Sequence, residues 1–219
     1  MLSLDFINND YEDKKSPTQR VAQAISIDIL TGILPQGKQI VEQQLCDKYK
    51  MSRTPIREIL KRLEADGMIN IIPNRGAFVT GYTPRDIDDF LYMKCILYPQ
   101  CVKWAIERIT DEEFSMLEET FAFMEFYTAT EDIEKMQKIN RGFHAIIYNA
   151  SHNHEVEALL LKYDFIIRYA NMMVKYPANY LSAVLEEHRA IFDAFKNGDS
   201  EAGYEAAQIH AYKSMLRRK

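Results

Sequence analysis

From Met51 to Glu64 the apolar residues Ile56, Ile59, Leu60 and Leu63 recur at helical spacing, so the stretch must bury one stripe of a helix. Arg53, Thr54, Arg57 and Lys61 fall largely off that stripe and gather towards the helix N-terminus. Ser52 or Thr54 can cap this end, and Pro55 is harmless in a first turn whose amides have no intrahelical partner. Such a helix suits a DNA major groove. Arg reads guanine edges with paired hydrogen bonds, while Thr, Lys and the amide-rich helix end hold phosphates. For an isolated helix a solvated basic face is the simpler reading, so its neighbours have to decide.

Upstream, Thr18 to Leu30 describes an amphipathic helix closed by Thr31-Gly32, and Leu34 to Gly37 is a turn. Gln39-Ile40-Val41 predicts a short strand and Glu42 to Tyr49 a short helix, linked to the basic helix by Lys50-Met51 alone. Downstream, Asp66-Gly67 stops the helix. Met68 to Pro73 and Ala77 to Thr80 then predict two strands around the turn Asn74-Arg75-Gly76. Three helices and a β-hairpin wing make a winged helix-turn-helix over 17–80, behind a polar tail at 1–16. Arg75 at the wing tip can enter a minor groove or clamp a phosphate.

After a linker at 81–83 no strand pattern follows. Residues 84–219 predict an all-α six-helix bundle, at about 84–108, 111–128, 131–150, 154–174, 179–196 and 200–217. Thr83-Pro84 opens the first, Thr110 and Glu113 form a capping box for the second, and Asn153 caps the fourth. Pro177 separates the fourth from the fifth, and Asn197-Gly198-Asp199 the last two. The fold class is therefore mainly α.

A net charge of −5 argues against indiscriminate nucleic-acid binding, but the charge is uneven. Residues 1–82 hold 11 Lys and Arg against 10 Asp and Glu, whereas 83–219 hold 16 against 22. Cys46, Cys95 and Cys101 form no C-x-x-C pair and leave one over, the usage of a reducing compartment. With no signal pattern and no run approaching about 18 apolar residues, the expected location is the cytoplasm, away from any membrane.

The motifs of the first part resemble the GntR-family DNA-binding domain. They run in order from Gly32-x-Leu34-Pro35-x-Gly37 to Glu42-x-x-Leu45 and Ser52 through Glu58. Leu63-Glu64-x-x-Gly67 and Pro73 through Ala77 complete the set. The resemblance implies DNA contacts from Arg53, Thr54, Arg57, Asn74, Arg75 and Gly76, and the exposed Lys61 joins them from its place on the helix. Gln43 stands where some relatives carry a DNA-contacting Arg, which implies one weaker contact.

All five histidines lie in the second part. His152 and His154 flank Asn153 in a predicted loop and read as solvated. His144, His188 and His210 lie inside three predicted helices among apolar neighbours, and Asn140 shares a helix face with His144 at i−4. Spacing leaves two readings open, hydrogen-bonded core histidines or metal ligands.

Asn140-x-x-Phe143-His144, followed by Asn149-Ala150-Ser151-x-Asn153, resembles the signature of the FCD ligand-binding domain, and His188 and His210 match its later histidines. The resemblance implies a divalent metal, zinc or nickel, held by Asn140, His144, His188 and His210 beneath an effector cavity. Asn140 replaces the family's Asp. The family's R-x-x-L-E reads Lys94-x-x-Leu97-Tyr98 here, and six helices place the chain near the shorter VanR-like branch. Lys94, Tyr98 and Arg168 are the candidate effector contacts, and the effector is expected to be a small carboxylate.

The function expected is a ligand-responsive transcription regulator, a homodimer on a pseudo-palindromic double-stranded DNA operator, and not an enzyme. The alternatives are a metal-dependent hydrolase using the histidine cluster and a regulator that senses the metal itself. Against the hydrolase, there is no H-E-x-x-H and no carboxylate poised as a general base.

Overall fold

Side-chain caps set the helix boundaries. The Ser16 hydroxyl accepts from the Gln19 amide at 3.2 Å and Gln19 Oε1 accepts from the Ser16 amide at 2.8 Å. This capping box starts α1 (Pro17–Leu30) with Pro at its first position. The computed structural model describes residues 16–170 and 179–217, so the expected tail at 1–15 lies outside the described residues.

α1 buries Ala22, Ile25 and Ile29. β1 (Gln39–Ile40) and α2 (Glu42–Tyr49) follow, then α3 (Arg53–Ala65), β2 (Ile69–Ile72) and β3 (Gly76–Val79). The link between α2 and α3 is one residue longer than expected. Lys50 takes a left-handed φ of 52° as the C-cap and Ser52 is the N-cap of α3. The three strands form an antiparallel sheet in the order β1-β3-β2, with Ile40 opposite Ala77 and Ile72 opposite Gly76. The strands are shorter than the sequence suggests: Pro73 has no N–H to continue the ladder, and Val41 becomes the N-cap of α2. Ile25, Ile56, Ile59 and Leu63 form the centre of this unit, with Met68, Ile69 and Val79 closing it from the sheet.

Six helices make up the rest: α4 (Pro84–Arg108), α5 (Asp111–Ala129), α6 (Ile133–Ala150), α7 (His154–Ala170), α8 (Tyr180–Asn197) and α9 (Ser200–Leu216). The fold is mainly helical, as expected, with a small wing after an N-terminal helix-turn-helix. Thr110 and Glu113 close the expected capping box on α5. α6 starts at Ile133 because Glu131 turns the chain at φ 54° and Asp132 caps the helix. The expected end of α7 at 171–174, and Pro177, lie outside the described residues.

The described residues fall into two compact units, 16–88 with 168–170, and 89–167 with 179–217. In the second, α5 packs against α6 and α8, and α8 against α9. Phe121 of α5 stacks on Phe192 of α8 at 4.5 Å. Leu117, Met124, Phe143, Ile147 and Leu160 are fully enclosed, and so are Tyr98 and Tyr148. Among the described residues no helix is long and apolar enough to cross a membrane, and all three cysteines are free.

Leu117 has no solvent exposure and belongs to the core of this packing. Leu117→Ala is expected to destabilise the helical unit by about 2–5 kcal/mol. Urea denaturation followed by circular dichroism measures it, and an unchanged midpoint would contradict the core as described.

Candidate DNA-reading surface and histidine centre

α3 presents Arg53, Thr54, Arg57 and Lys61 to solvent while its opposite stripe is buried. Each arginine is held by a side chain of α2. Arg57 Nε donates to both carboxylate oxygens of Glu42, at 3.0 and 3.2 Å. Arg53 Nη2 donates to Gln43 Oε1 at 3.0 Å, and Gln43 Nε2 donates to Asp47 at 3.0 Å. The sequence marked Gln43 as a weakened contact; in the fold it engages Arg53. Neither Glu42 nor Gln43 was singled out as a partner for the arginines, because ten and more residues of sequence conceal a contact that the turn creates.

At the wing tip Asn74 has φ 61° and Gly76 φ 96°. A Cβ at Gly76 would come within 3.3 Å of Gln39 Nε2, which donates to the Arg75 carbonyl at 2.9 Å. Gln39 thereby ties the tip to the sheet, while the Arg75 side chain stays exposed. A groove of about 380 Å³ lined by Glu42, Arg57, Lys61 and Gly76 runs beside α3 and the sheet.

In the helical unit, α6, α8 and α9 bring His144, His188 and His210 together. Each offers a ring nitrogen, and these three atoms lie within 4.8 Å of one another. All three outer nitrogens have partners. His188 Nδ1 donates to the Val184 carbonyl at 2.6 Å, and His210 Nδ1 meets Glu187 Oε2 at 3.0 Å. His144 Nδ1 lies 3.0 Å from the Tyr98 hydroxyl. The Nε2 atoms are thus left for the centre, with those of His144 and His188 3.2 Å apart. Since a carbonyl only accepts, His188 Nε2 carries a lone pair, and so does His210 Nε2 if its proton faces Glu187.

Asn140 stands one turn before His144, and its Oδ1 is buried with no hydrogen-bond partner. An unpaired buried carbonyl oxygen is costly unless something else coordinates it. Three imidazoles with tied outer nitrogens and one orphaned amide oxygen fit a divalent metal ion. Glu187 is buried too, and Arg217 binds it from the end of α9, with Nη1 at 2.9 Å from Oε1. Burial pushes its carboxyl up, and the charges of Arg217 and Lys213 oppose that shift.

Of the candidate effector contacts, Tyr98 is fully buried against His144. Lys94 is ion-paired with Asp164 of α7, whose second oxygen accepts from the Tyr148 hydroxyl at 2.7 Å. Arg168 is exposed with its guanidinium over the neighbouring Tyr169 ring, 4.9 Å from the centroid. The sequence assigned no role to Asp164 or Glu187, since a lone acid in an amphipathic helix looks like surface. His152, expected to be solvated, is half-exposed and has its Nε2 3.2 Å from Glu113.

Comparison with known proteins accounts for both units. Residues 17–79 match the model of the bacterial regulatory proteins of the gntR family, and residues 89–212 match that of the FCD domain. The chain is 29% identical to the HTH-type transcriptional regulator YdhC of Bacillus subtilis over 83% of its own length and 82% of that protein's. It is 25% identical to the galactonate operon transcriptional repressor of Escherichia coli, covering 92% and 96% of the two chains. The solved structure of Escherichia coli McbR/YncC shares its fold, with a TM-score of 0.68 and 20% identity over 92% of this chain and 96% of that one.

Burial pushes His144 and His188 well below the usual imidazole range, and His210 from 6.5 to about 3. These groups are neutral when folded and take up protons when unfolded, so unfolding binds protons below about pH 6.5. Stability of metal-free protein is therefore present above pH 6.5 and lost as pH falls towards 3. Denaturant midpoints between pH 7 and 4 measure this, and His210→Phe is expected to flatten the slope.

Proposed function

We propose a mechanism for a chain that belongs to the gntR family of bacterial regulatory proteins, with an FCD domain in its second half, and is a transcription regulator of that type. Arg53, Thr54, Arg57 and Lys61 enter the major groove of double-stranded DNA, and Asn74, Arg75 and Gly76 of the wing reach the adjoining backbone or minor groove. Two copies act as a homodimer on a pseudo-palindromic operator, each placing one α3 in successive major grooves. Exposed arginines on the first turns of α3 support this reading.

The helical domain senses a small effector, and a divalent ion, zinc or nickel, takes part. Asn140, His144, His188 and His210 would hold it. The observation that carries this is the convergence of three imidazoles with satisfied outer nitrogens, with the orphaned Oδ1 of Asn140 one helical turn before His144. Bound there, the ion would supply a Lewis-acidic centre with positions open to an anionic ligand. All four donors are neutral, and the flanking acids Glu187 and Asp164 already face Arg217 and Lys94. Little negative charge is left to offset a buried dication, which favours a carboxylate effector. The name of the galactonate operon repressor, a relative, points to a carboxylate too. An effector carboxylate reaching Lys94 would displace Asp164, and α7 would follow; Tyr98 would respond through His144. Arg168, exposed, fits this role less well. Such an effector alters operator affinity only through different affinities for two helix arrangements.

The metal itself as signal is the second reading, supported by the same cluster. A hydrolase needs a carboxylate free to take a proton, and Glu187, which touches the cluster, is committed to His210 and Arg217. Relatives named as transcriptional regulators favour regulation throughout.

Elemental analysis of untagged protein incubated with zinc or nickel should find one ion per chain. His188→Ala should abolish binding, and Asn140→Asp should tighten it, because a carboxylate is a stronger donor than an amide. Stoichiometry near zero for the wild type would return the histidines to packing. For DNA, Arg53→Ala or Arg57→Ala should weaken specific binding by about 1–3 kcal/mol without loss of fold. Unchanged affinity in a folded double variant removes the assignment.

A further inference from the structure

The arginines of α3 are not free rods. Arg57 is gripped at Nε by both oxygens of Glu42, and Arg53 is gripped at Nη2 by Gln43, whose amide is itself fixed by Asp47. Glu42 and Gln43 are consecutive residues in the first turn of α2. Both Nη groups of Arg57 have no protein partner among the described residues, so the outer edge of its guanidinium faces solvent with its donors unused. That is the edge a guanine O6 and N7 pair requires, two donors in one plane. An arginine held at Nε presents this edge in a narrow range of orientations, whereas a loose one must be ordered by the DNA itself.

We propose that Glu42 and Gln43 are positioning residues for operator readout, Glu42 through Arg57 and Gln43 through Arg53. The inference rests on α3 being the DNA-reading helix and says how that helix discriminates. Gln43 then takes on a buttressing task in place of a direct DNA contact.

The competing view makes Glu42 a surface acid that only repels phosphates. The two views predict opposite signs. Removing an acid beside a DNA-facing helix strengthens binding to every duplex alike through Coulomb attraction. Removing a positioning group weakens the selected sequence relative to others.

Duplexes selected from a randomised pool by the full-length protein provide the probe, with an unrelated duplex of the same length as reference. Binding is measured for the wild type, Glu42→Ala, Gln43→Ala, Arg57→Ala and Glu42→Ala combined with Arg57→Ala, each checked for helicity. We expect Glu42→Ala to lower the ratio of selected to unrelated affinity on the order of tenfold while unrelated binding holds or rises. In the Arg57→Ala background the same change should leave that ratio unaltered. Gln43→Ala carries no charge change and should lower the ratio on its own. If both duplexes gain affinity by one factor in Glu42→Ala, the acid acts by charge alone and the proposal fails. If Arg57→Ala leaves discrimination intact, the DNA contact itself is wrong and the proposal fails with it.

Discussion

A neutral imidazole enclosed by aromatic rings keeps its place only while its outer nitrogen has a partner. Three such rings share the core of the helical unit, and each solves the problem differently. His188 uses a carbonyl of its own helix, His144 a tyrosine hydroxyl from α4, and His210 a carboxylate from α8. These partners fix ring orientation, and orientation leaves one nitrogen of each ring within 4.8 Å of the others. The aromatic packing depends on it in turn: Tyr98, Phe143 and Tyr148 meet the histidines edge-on or stacked at 5.1–6.1 Å. A hydrocarbon core of the same volume would pack as well, but it would not leave donor atoms facing inward.

Two ion pairs frame this centre. Glu187 with Arg217 joins α8 to the end of α9, and Lys94 with Asp164 joins α4 to α7. Both acids are close enough to bias the imidazoles and both are already compensated, so the field at the centre is set by what enters it. The winged unit works in the opposite way. There the cations point outward, and Glu42 neutralises Arg57 only at Nε while its outer donors remain exposed.

Helix positions were legible because caps are local. Thr110 with Glu113, Asn153 and Gly198 announce their boundaries within four residues, and the fold respects each. Turns made by ordinary residues were not legible. Lys50 and Glu131 adopt left-handed backbone with no glycine to signal it, which moved two boundaries. The histidine triad could be suspected from three ring-bearing residues on apolar helix faces, since periodicity says which side of a helix is buried. Its polar surroundings could not. Asp164 and Glu187 owe their meaning to partners on other helices, and no spacing rule links Lys94 to α7 or Arg57 to α2. Spacing made these residues candidate ligands and family resemblance favoured a metal, whereas the tied outer nitrogens and the unpaired Asn140 oxygen emerge only in the folded chain.

His210 sits on α9 and Arg217 caps its end, and α9 is the last helix to leave the ribosome of those that surround the centre. α6 and α8 can pair earlier in synthesis, but with two imidazoles and no third they form only a weak cation trap. Closing the set requires a long chain loop to shut, a cost that is entropic and grows slowly with length. If an ion is held there as proposed, it would act as a clasp on that loop, so folding of the domain and capture of the ion would be one late event. Metal scarcity would then be felt in how fast new molecules mature, before any effector is met.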